Sequence, residues 1–344
     1  MKTSMYKNFV DMMNAQGCEN AIEDARVRFV FNETLNQPMS FGDGGRCYVF
    51  SPSRMLADYA ALETAWHIGG WRAKAMSVLS PFLRGYVRAA GLDKAVQLGA
   101  LGVSTQTTHL NPLQLREAVM EIQEGYKRGV LLRSVNPEIN PELWGMKDAI
   151  RLPSRQVWLF DSVPSKRKRP DFHKDQGLLQ EKGWSWKKGE DWEGVDFELA
   201  AQFYRNLYIE KYTDLNPCYT PAGLRIYRDS GLAHFWMLYK GERPVGFVGM
   251  IGERWLTTPF VGCAVELDKK EAVFRRLVAF TFKRALEEGK GLHLSAGAAR
   301  FKELRGARPV LEASLFFPYG KGVLARGLSQ ALERVAPEVM RSRF

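Results

Sequence analysis

From His234 to Phe317 the sequence alternates between elements in an order that few folds accommodate. His234–Tyr239 and Val245–Ile251 are strand-forming apolar runs, and Lys240-Gly-Glu-Arg-Pro244 between them has the composition of a hairpin turn. Trp255–Val265 reads as a third strand. A helical pattern over Lys270–Glu288 is stopped by Gly289-Lys-Gly291, a short strand follows at Leu292–Ser295, and another at Val310–Phe317. A helix from Val323 to about Val335 closes the series. Hairpin, strand, helix, strand, connection, strand speaks for an α/β layer architecture.

The first half has a related but less clear pattern. Ala95–Val103 reads as a strand, Asn111-Pro112 opens a helix running to about Tyr126, Gly129–Val135 is a strand, Pro141–Lys147 a short helix and Ile150–Phe160 a long strand. Earlier, Arg26–Phe31 and Arg46–Phe50 read as short strands around the Phe41-Gly-Asp-Gly-Gly45 turn, and residues 52–88 are helical and aromatic. Phe172–Lys182 and Asp196–Tyr212 read as helices, and Thr220-Pro caps a third. A chain of 344 residues exceeds one comfortable core. The Pro-bounded basic run Pro164-Ser-Lys-Arg-Lys-Arg-Pro170 is the best boundary, dividing residues 1–163 from 164–344. A solvated linker is the ordinary reading of that run, and a nucleic-acid contact is the other.

Composition narrows the class. Hydrophobic residues at 45% and charged residues at 25% describe a globular protein. No apolar run approaches the roughly 18 residues a membrane span needs, and none follows the N-terminus as a secretory signal would. Cys18, Cys47, Cys218 and Cys263 have neither metal-type spacing nor a disulfide framework, so a reducing, cytoplasmic setting without structural metal is expected. The net charge is +11, and from Lys283 onward twelve Lys/Arg face six Glu and no Asp. Such a surplus suits anionic partners, although solubility alone also explains it.

Chemistry concentrates in Gly291-Leu-His-Leu-Ser-Ala-Gly-Ala-Ala-Arg-Phe-Lys302-Glu-Leu-Arg305-Gly-Ala-Arg308, where a strand runs into small residues followed by three cations. Small residues admit a ligand close to the backbone, and cations meet a phosphate or a developing oxyanion. Strand alternation turns His293 away from Leu292 and Leu294, either toward a cleft as a general base or into a satisfied buried position. No Ser-His-Asp order, Walker loop or dinucleotide fingerprint is present.

The hairpin Trp236-Met-Leu-Tyr-Lys-Gly-Glu-Arg-Pro-Val-Gly-Phe-Val-Gly, the Phe274–Glu288 helix, and Phe301-Lys302-Glu-Leu-Arg305-Gly306 after Gly-Leu-His-Leu-Ser resemble the GNAT acyltransferase superfamily, and more closely its FemAB-like doubled-GNAT group. The resemblance covers about residues 165–317, with residues 90–160 matching a degenerate first copy only in element order. It implies two tandem GNAT-like lobes, the N-terminal one degenerate, each a mixed sheet flanked by helices. It also implies transfer of an acyl or aminoacyl group to an amine by direct attack, at a point where two parallel strands splay apart.

By the same resemblance, Lys302 faces the donor phosphate or the oxyanion, Ser295 donates to the carbonyl, and Arg305, Arg308, Lys269 and Lys270 meet the donor's phosphates. Glu210 binds the ammonium or takes its proton, and Thr257, Thr258, Tyr212 and Asn216 line the acceptor side. The donor is acyl-CoA, an acyl-carrier protein or an aminoacyl-tRNA, with no tightly bound cofactor. The helix after the fourth strand opens Cys263-Ala-Val-Glu-Leu-Asp-Lys269-Lys270, without the glycines of a CoA pyrophosphate cradle. An aminoacyl-tRNA-dependent peptide-bond former and a non-catalytic module for RNA or a carrier protein are the alternative readings.

Overall fold

The computed structural model describes residues 4–67, 69–107, 109–161 and 170–341. Its strands, in chain order, are β1 (Ile22–Glu23), β2 (Val27–Asn32), β3 (Gln37–Gly42), β4 (Val96–Leu98), β5 (Val130–Val135), β6 (Ile150–Phe160), β7 (Trp184–Lys188), β8 (Cys218–Tyr219), β9 (His234–Lys240), β10 (Arg243–Ile251), β11 (Trp255–Cys263), β12 (Gly291–His293) and β13 (Arg308–Phe317). Eleven of them form one sheet in the order β2-β3-β4-β5-β13-β6-β12-β11-β10-β9-β7, and β1 pairs separately with β8.

Two halves of that sheet follow the same plan. β2, β3 and β4 are antiparallel neighbours and β4 lies parallel to β5; β9, β10 and β11 are likewise antiparallel and β11 lies parallel to β12. At the centre the halves exchange strands. β13, the last strand of the chain, sits between β5 and β6, while β6 pairs with β12. Hairpin-linked strands with a helical crossover before each parallel pair explain why both halves repeat the order read from the sequence.

Helix starts obey local chemistry. The Asn111 side chain accepts from the amides of Leu113 and Gln114 and opens Pro112–Tyr126; the Thr220 hydroxyl accepts from Gly223 N–H and opens Pro221–Asp229. Four expected elements come out differently. Arg46–Phe50 forms turns, buried from Cys47 onward, and Gln37–Gly42 is the strand that pairs with β2. Only Val96–Leu98 of the expected Ala95–Val103 strand is extended. The single helix over Lys270–Glu288 is two, Val265–Glu271 and Val273–Glu287. Ala272 is left-handed between them (φ 52°) and the Asp268 carboxylate accepts Phe274 N–H at 2.7 Å, capping the second. Asp196–Tyr212 divides into an α-helix, Gly194–Tyr204, and a π-helical turn, Arg205–Glu210.

The largest core cluster spans both halves: Phe9 and Phe29 pack at 5.3 Å between ring centroids, and Tyr219 meets Phe260 at 4.8 Å. One glycine is dictated by closeness. A Cβ on Gly262 in β11 would lie 2.5 Å from the Phe203 carbonyl carbon, so only glycine lets the end of Gly194–Tyr204 rest on the strand. That contact places Tyr204 and Leu207 beside the site.

Candidate functional site

β11 and β12 are hydrogen-bonded only over Trp255↔Gly291, Leu256↔Leu292 and Thr257↔His293. β12 then stops, whereas β11 continues to Cys263. The strands therefore part, and a cavity of about 280 Å³ opens between them. Thr258, Pro259 and Val261 of β11 line one wall, and residues Leu294 to Ala298 line the other.

The turn at the parting is held in a costly shape. Ser295 is at φ 60°, a left-handed conformation unfavourable for a residue with a Cβ. Its N–H donates to His293 Nδ1 at 3.1 Å, its carbonyl accepts from Trp158 N–H and Lys302 Nζ, both at 3.1 Å, and its hydroxyl accepts from Thr105 Oγ1 at 2.8 Å. Because Nδ1 of His293 is an acceptor, the ring proton sits on Nε2 and is donated to Glu312 at 3.2 Å. Burial lowers the His293 pKa against the opposing pull of Glu312. His293 is thus a neutral, fully engaged support behind the cavity wall, and the alternative of a cleft-facing base is the one the structure does not realise.

Arg155, on β6 in the first half of the chain, is the hub. Its Nε donates to Glu312 at 2.7 Å, its Nη2 to the Ser104 carbonyl at 2.7 Å and to Thr105 at 3.0 Å, and its Nη1 to Ser295 Oγ at 3.4 Å. Burial pushes the Glu312 carboxyl up, but the Arg155 charge and the hydrogen bonds from His293 and Arg155 more than reverse this, to about 2. Arg155 also lines the cavity, so a fixed positive charge faces whatever binds there.

Lys302 joins Ser295 and Arg155 on the lining. Its Nζ donates to the carbonyls of Ser295 and Ala296, at 3.1 and 2.6 Å, and burial followed by the Arg155 charge pulls its pKa down to about 7. An amine with two protons on two carbonyls has one tetrahedral position left, for a third proton or a lone pair. The site therefore combines a permanent cation with an amine that titrates near neutrality.

Of the remaining residues singled out in the sequence, Thr258, Tyr212 and Asn216 line the same cavity. Asn216 donates from Nδ2 to the Tyr208 carbonyl at 2.9 Å and ties down the π-helical turn. Thr257 is buried in the paired part of β11, and Glu210 is exposed and does not face the cavity. Arg308 is spent on Asp161 (3.2 Å) and Glu138 (3.0 Å). Lys270 is exposed on Val265–Glu271; the Lys269 side chain and the basic run 164–169 lie outside what the structure describes. Asp268 occupies the N-terminus of Val273–Glu287, where a CoA pyrophosphate would need free amides and no carboxylate. Among the described residues no three His, Cys, Asp or Glu side chains gather as a metal site requires.

Arg305 is not brought to the cavity. Its Nε and Nη2 hold buried Asp175 at 2.7 and 2.6 Å, its Nη1 reaches the Phe301 carbonyl, and its guanidinium lies over the Phe301 ring. Arg305→Met is accordingly expected to lower stability by about 3 kcal/mol, the low end for a broken buried pair because Arg275 still contacts Asp175. Thermal unfolding measures the loss, and turnover of the folded protein should persist; normal stability with lost turnover would place Arg305 in the site after all.

Sequence reasoning missed Arg155, Glu312 and the aromatic wall of Tyr48, Tyr59 and Trp66. A signal existed for the pair. Arg155 and Glu312 are charges in the interior of two largely apolar strands, and a charge buried in a strand needs a partner.

No family model matches the chain, and no curated protein matches it. Solved structures do. A domain (DUF2156) assigned as the C-terminal part of a lysylphosphatidylglycerol synthetase from Agrobacterium fabrum superposes over 97% of this chain and 92% of its own, with a TM-score of 0.50 at 10% identity. L-PGS from Bacillus licheniformis matches with a TM-score of 0.43 at 12% identity over 63% of this chain and 77% of its own, and FemX with 0.44 at 10% over 64% and 78%. At such identities the likeness concerns the fold. With its repeated half-sheets, splayed β11/β12 pair and exchanged central strands, the chain has a doubled GNAT-like fold, shared with the Agrobacterium fabrum domain over nearly its whole length.

Proposed function

We propose that the cavity between β11 and β12 is the transfer site of an acyl- or aminoacyltransferase that acts on an amine. The observation that carries this reading is the cavity at the strand parting, lined by both Arg155 and Lys302. The donor carbonyl enters beside Ser295, and the acceptor nitrogen forms its bond to the carbonyl carbon. Charge on the carbonyl oxygen meets Arg155 and the Ser295 hydroxyl, both already fixed by their partners. The nitrogen's surplus proton passes to the free position on Lys302, and the C–S or C–O bond breaks as the leaving group departs.

The carboxylate of Asp268 at the helix end favours a donor that does not rest a pyrophosphate there. A carrier-protein thioester or an aminoacyl-tRNA ester therefore stands ahead of acyl-CoA, and the +11 charge suits either polyanion. Division of the chain into two lobes near residue 163 belongs to the same proposal. The test is incubation with labelled acyl-CoA, acyl-carrier protein and aminoacyl-tRNA in an amine pool. Label moving to an amine from one donor class is the expected result; binding without transfer from all three would favour the non-catalytic module.

A further inference from the structure

The cavity differs along its length. Between β10, β11 and Val273–Glu287 its walls are mostly apolar, with Val248, Val261, Leu277, Phe274 and Phe282. Elsewhere Phe301 lies near Lys302, and six further aromatic rings and one carboxylate complete the lining. Tyr48, Tyr59 and Trp66 form one arm, with ring centroids 4.4 and 6.1 Å apart in succession. Tyr204, Tyr208 and Tyr212 form the other, at 4.7 and 6.4 Å. The arms meet where Trp66 and Tyr212, which are 41% and 48% exposed, pack edge-to-face at 5.7 Å and mark the mouth. Glu63 lines the same wall, one helical turn before Trp66.

Both arms stand on unusual backbone. Arg54–Tyr59 is a π-helical turn that ends on Tyr59, and Arg205–Glu210 is another that carries Tyr208. Such turns forgo regular helical hydrogen bonding and recur at functional sites. Here one from each half of the chain is used to aim rings at a single space. Burial raises the phenol pKa of both Tyr59 and Tyr208, so the rings stay neutral. A plain acyl chain has no use for the carboxylate, and a phosphate would be repelled by it. A cation gains from ring faces and from a carboxylate together. The other ionisable groups on the lining are Arg155, which is matched by Glu312, and Lys302, whose Nζ is turned to the carbonyls of Ser295 and Ala296.

We propose that the ring of Tyr48, Tyr59, Trp66, Tyr204, Tyr208 and Tyr212, with Glu63, is a binding site for an alkylammonium group. This rests on the transfer reading above and specifies its substrate: the ammonium belongs either to the acceptor amine before it loses its proton, or to the amino group of an aminoacyl donor.

Isothermal titration calorimetry on the full chain tests it, with n-butylammonium, its neutral counterpart 1-butanol, and alaninamide as probes. Saturable n-butylammonium binding is expected, roughly tenfold or more tighter than 1-butanol and weakened about tenfold by Glu63→Gln and by Tyr212→Leu. Tyr212 is half-exposed at the mouth, so its replacement leaves the core intact if Glu63→Gln proves unstable. Tighter binding of alaninamide than of n-butylammonium assigns the ammonium to the donor, and the reverse order to the acceptor; both support the site. Equal affinity for 1-butanol, no ammonium binding, or unchanged binding by a folded variant overturns it. Transfer assays are scored separately: transfer without ammonium binding removes this site alone, and ammonium-selective binding without transfer removes the transferase reading alone.

Discussion

Replacing Arg155 by methionine is expected to abolish transfer, by at least about two orders of magnitude in rate, and to lower the unfolding midpoint by roughly 5–10 °C. Two losses coincide. The guanidinium is the fixed positive charge on the cavity wall, and an oxyanion deprived of one such donor typically loses about 100-fold or more. The same group balances Glu312, which is 2% exposed and would be left as a buried carboxylate with only His293 beside it. Breaking a buried pair costs about 3–5 kcal/mol, most of it from the stranded partner. The double variant Arg155→Met with Glu312→Gln separates the two effects: stability should recover toward the parent while turnover stays lost. If Arg155→Met alone keeps its turnover, the oxyanion role given to Arg155 fails.

The second large effect concerns Lys302. With its pKa near 7, kcat/KM should rise with unit slope as pH increases toward 7 and then level off, as the amine loses the proton that blocks its lone pair. Lys302→Met should remove that inflection and lower transfer by about 10²–10⁴. Stability supplies an independent reading of the same titration. The folded pKa lies below the unfolded lysine value of about 10.4, so between these pH values the unfolded chain binds the extra proton and stability climbs with pH. The penalty of the buried ammonium is fully present below pH 7 and gone above the unfolded pKa. Lys302→Met should flatten this slope in denaturant unfolding measured across the range. A variant with the parent's slope and turnover would show that Lys302 is neither the titrating group nor the proton acceptor.

What was readable in the sequence was mostly local. Pro112–Tyr126 follows from a cap and a proline and Ile150–Phe160 from its apolar ends, Ile150-Arg-Leu-Pro and Val157-Trp-Leu-Phe, and both ends of each agree with the structure. The strand ending at Ser295 and the turn bearing Lys302 were visible because small residues and a lysine cluster in one short stretch. Pairing over long separations was not. Nothing near Arg305 announces Asp175, 130 positions earlier, so a structural ion pair looked like a phosphate contact. Nothing near Ser295 announces Arg155, 140 positions earlier. Trp184–Lys188 was overlooked although Trp184-Ser-Trp186 alternates as an edge strand does. The π-helical turns escaped because a helical apolar pattern looks the same whether the backbone closes each turn over four residues or five.

The exchange of β6 and β13 has a consequence for how the molecule is made. While a ribosome is still synthesising residues before 308, β5 and β6 have been released but the strand that lies between them does not yet exist. Their facing edges are bare main chain, open to adventitious pairing with other nascent proteins until Arg308–Phe317 emerges. Completion of the first half is thereby deferred until β13 has been made, after the strands of the second half.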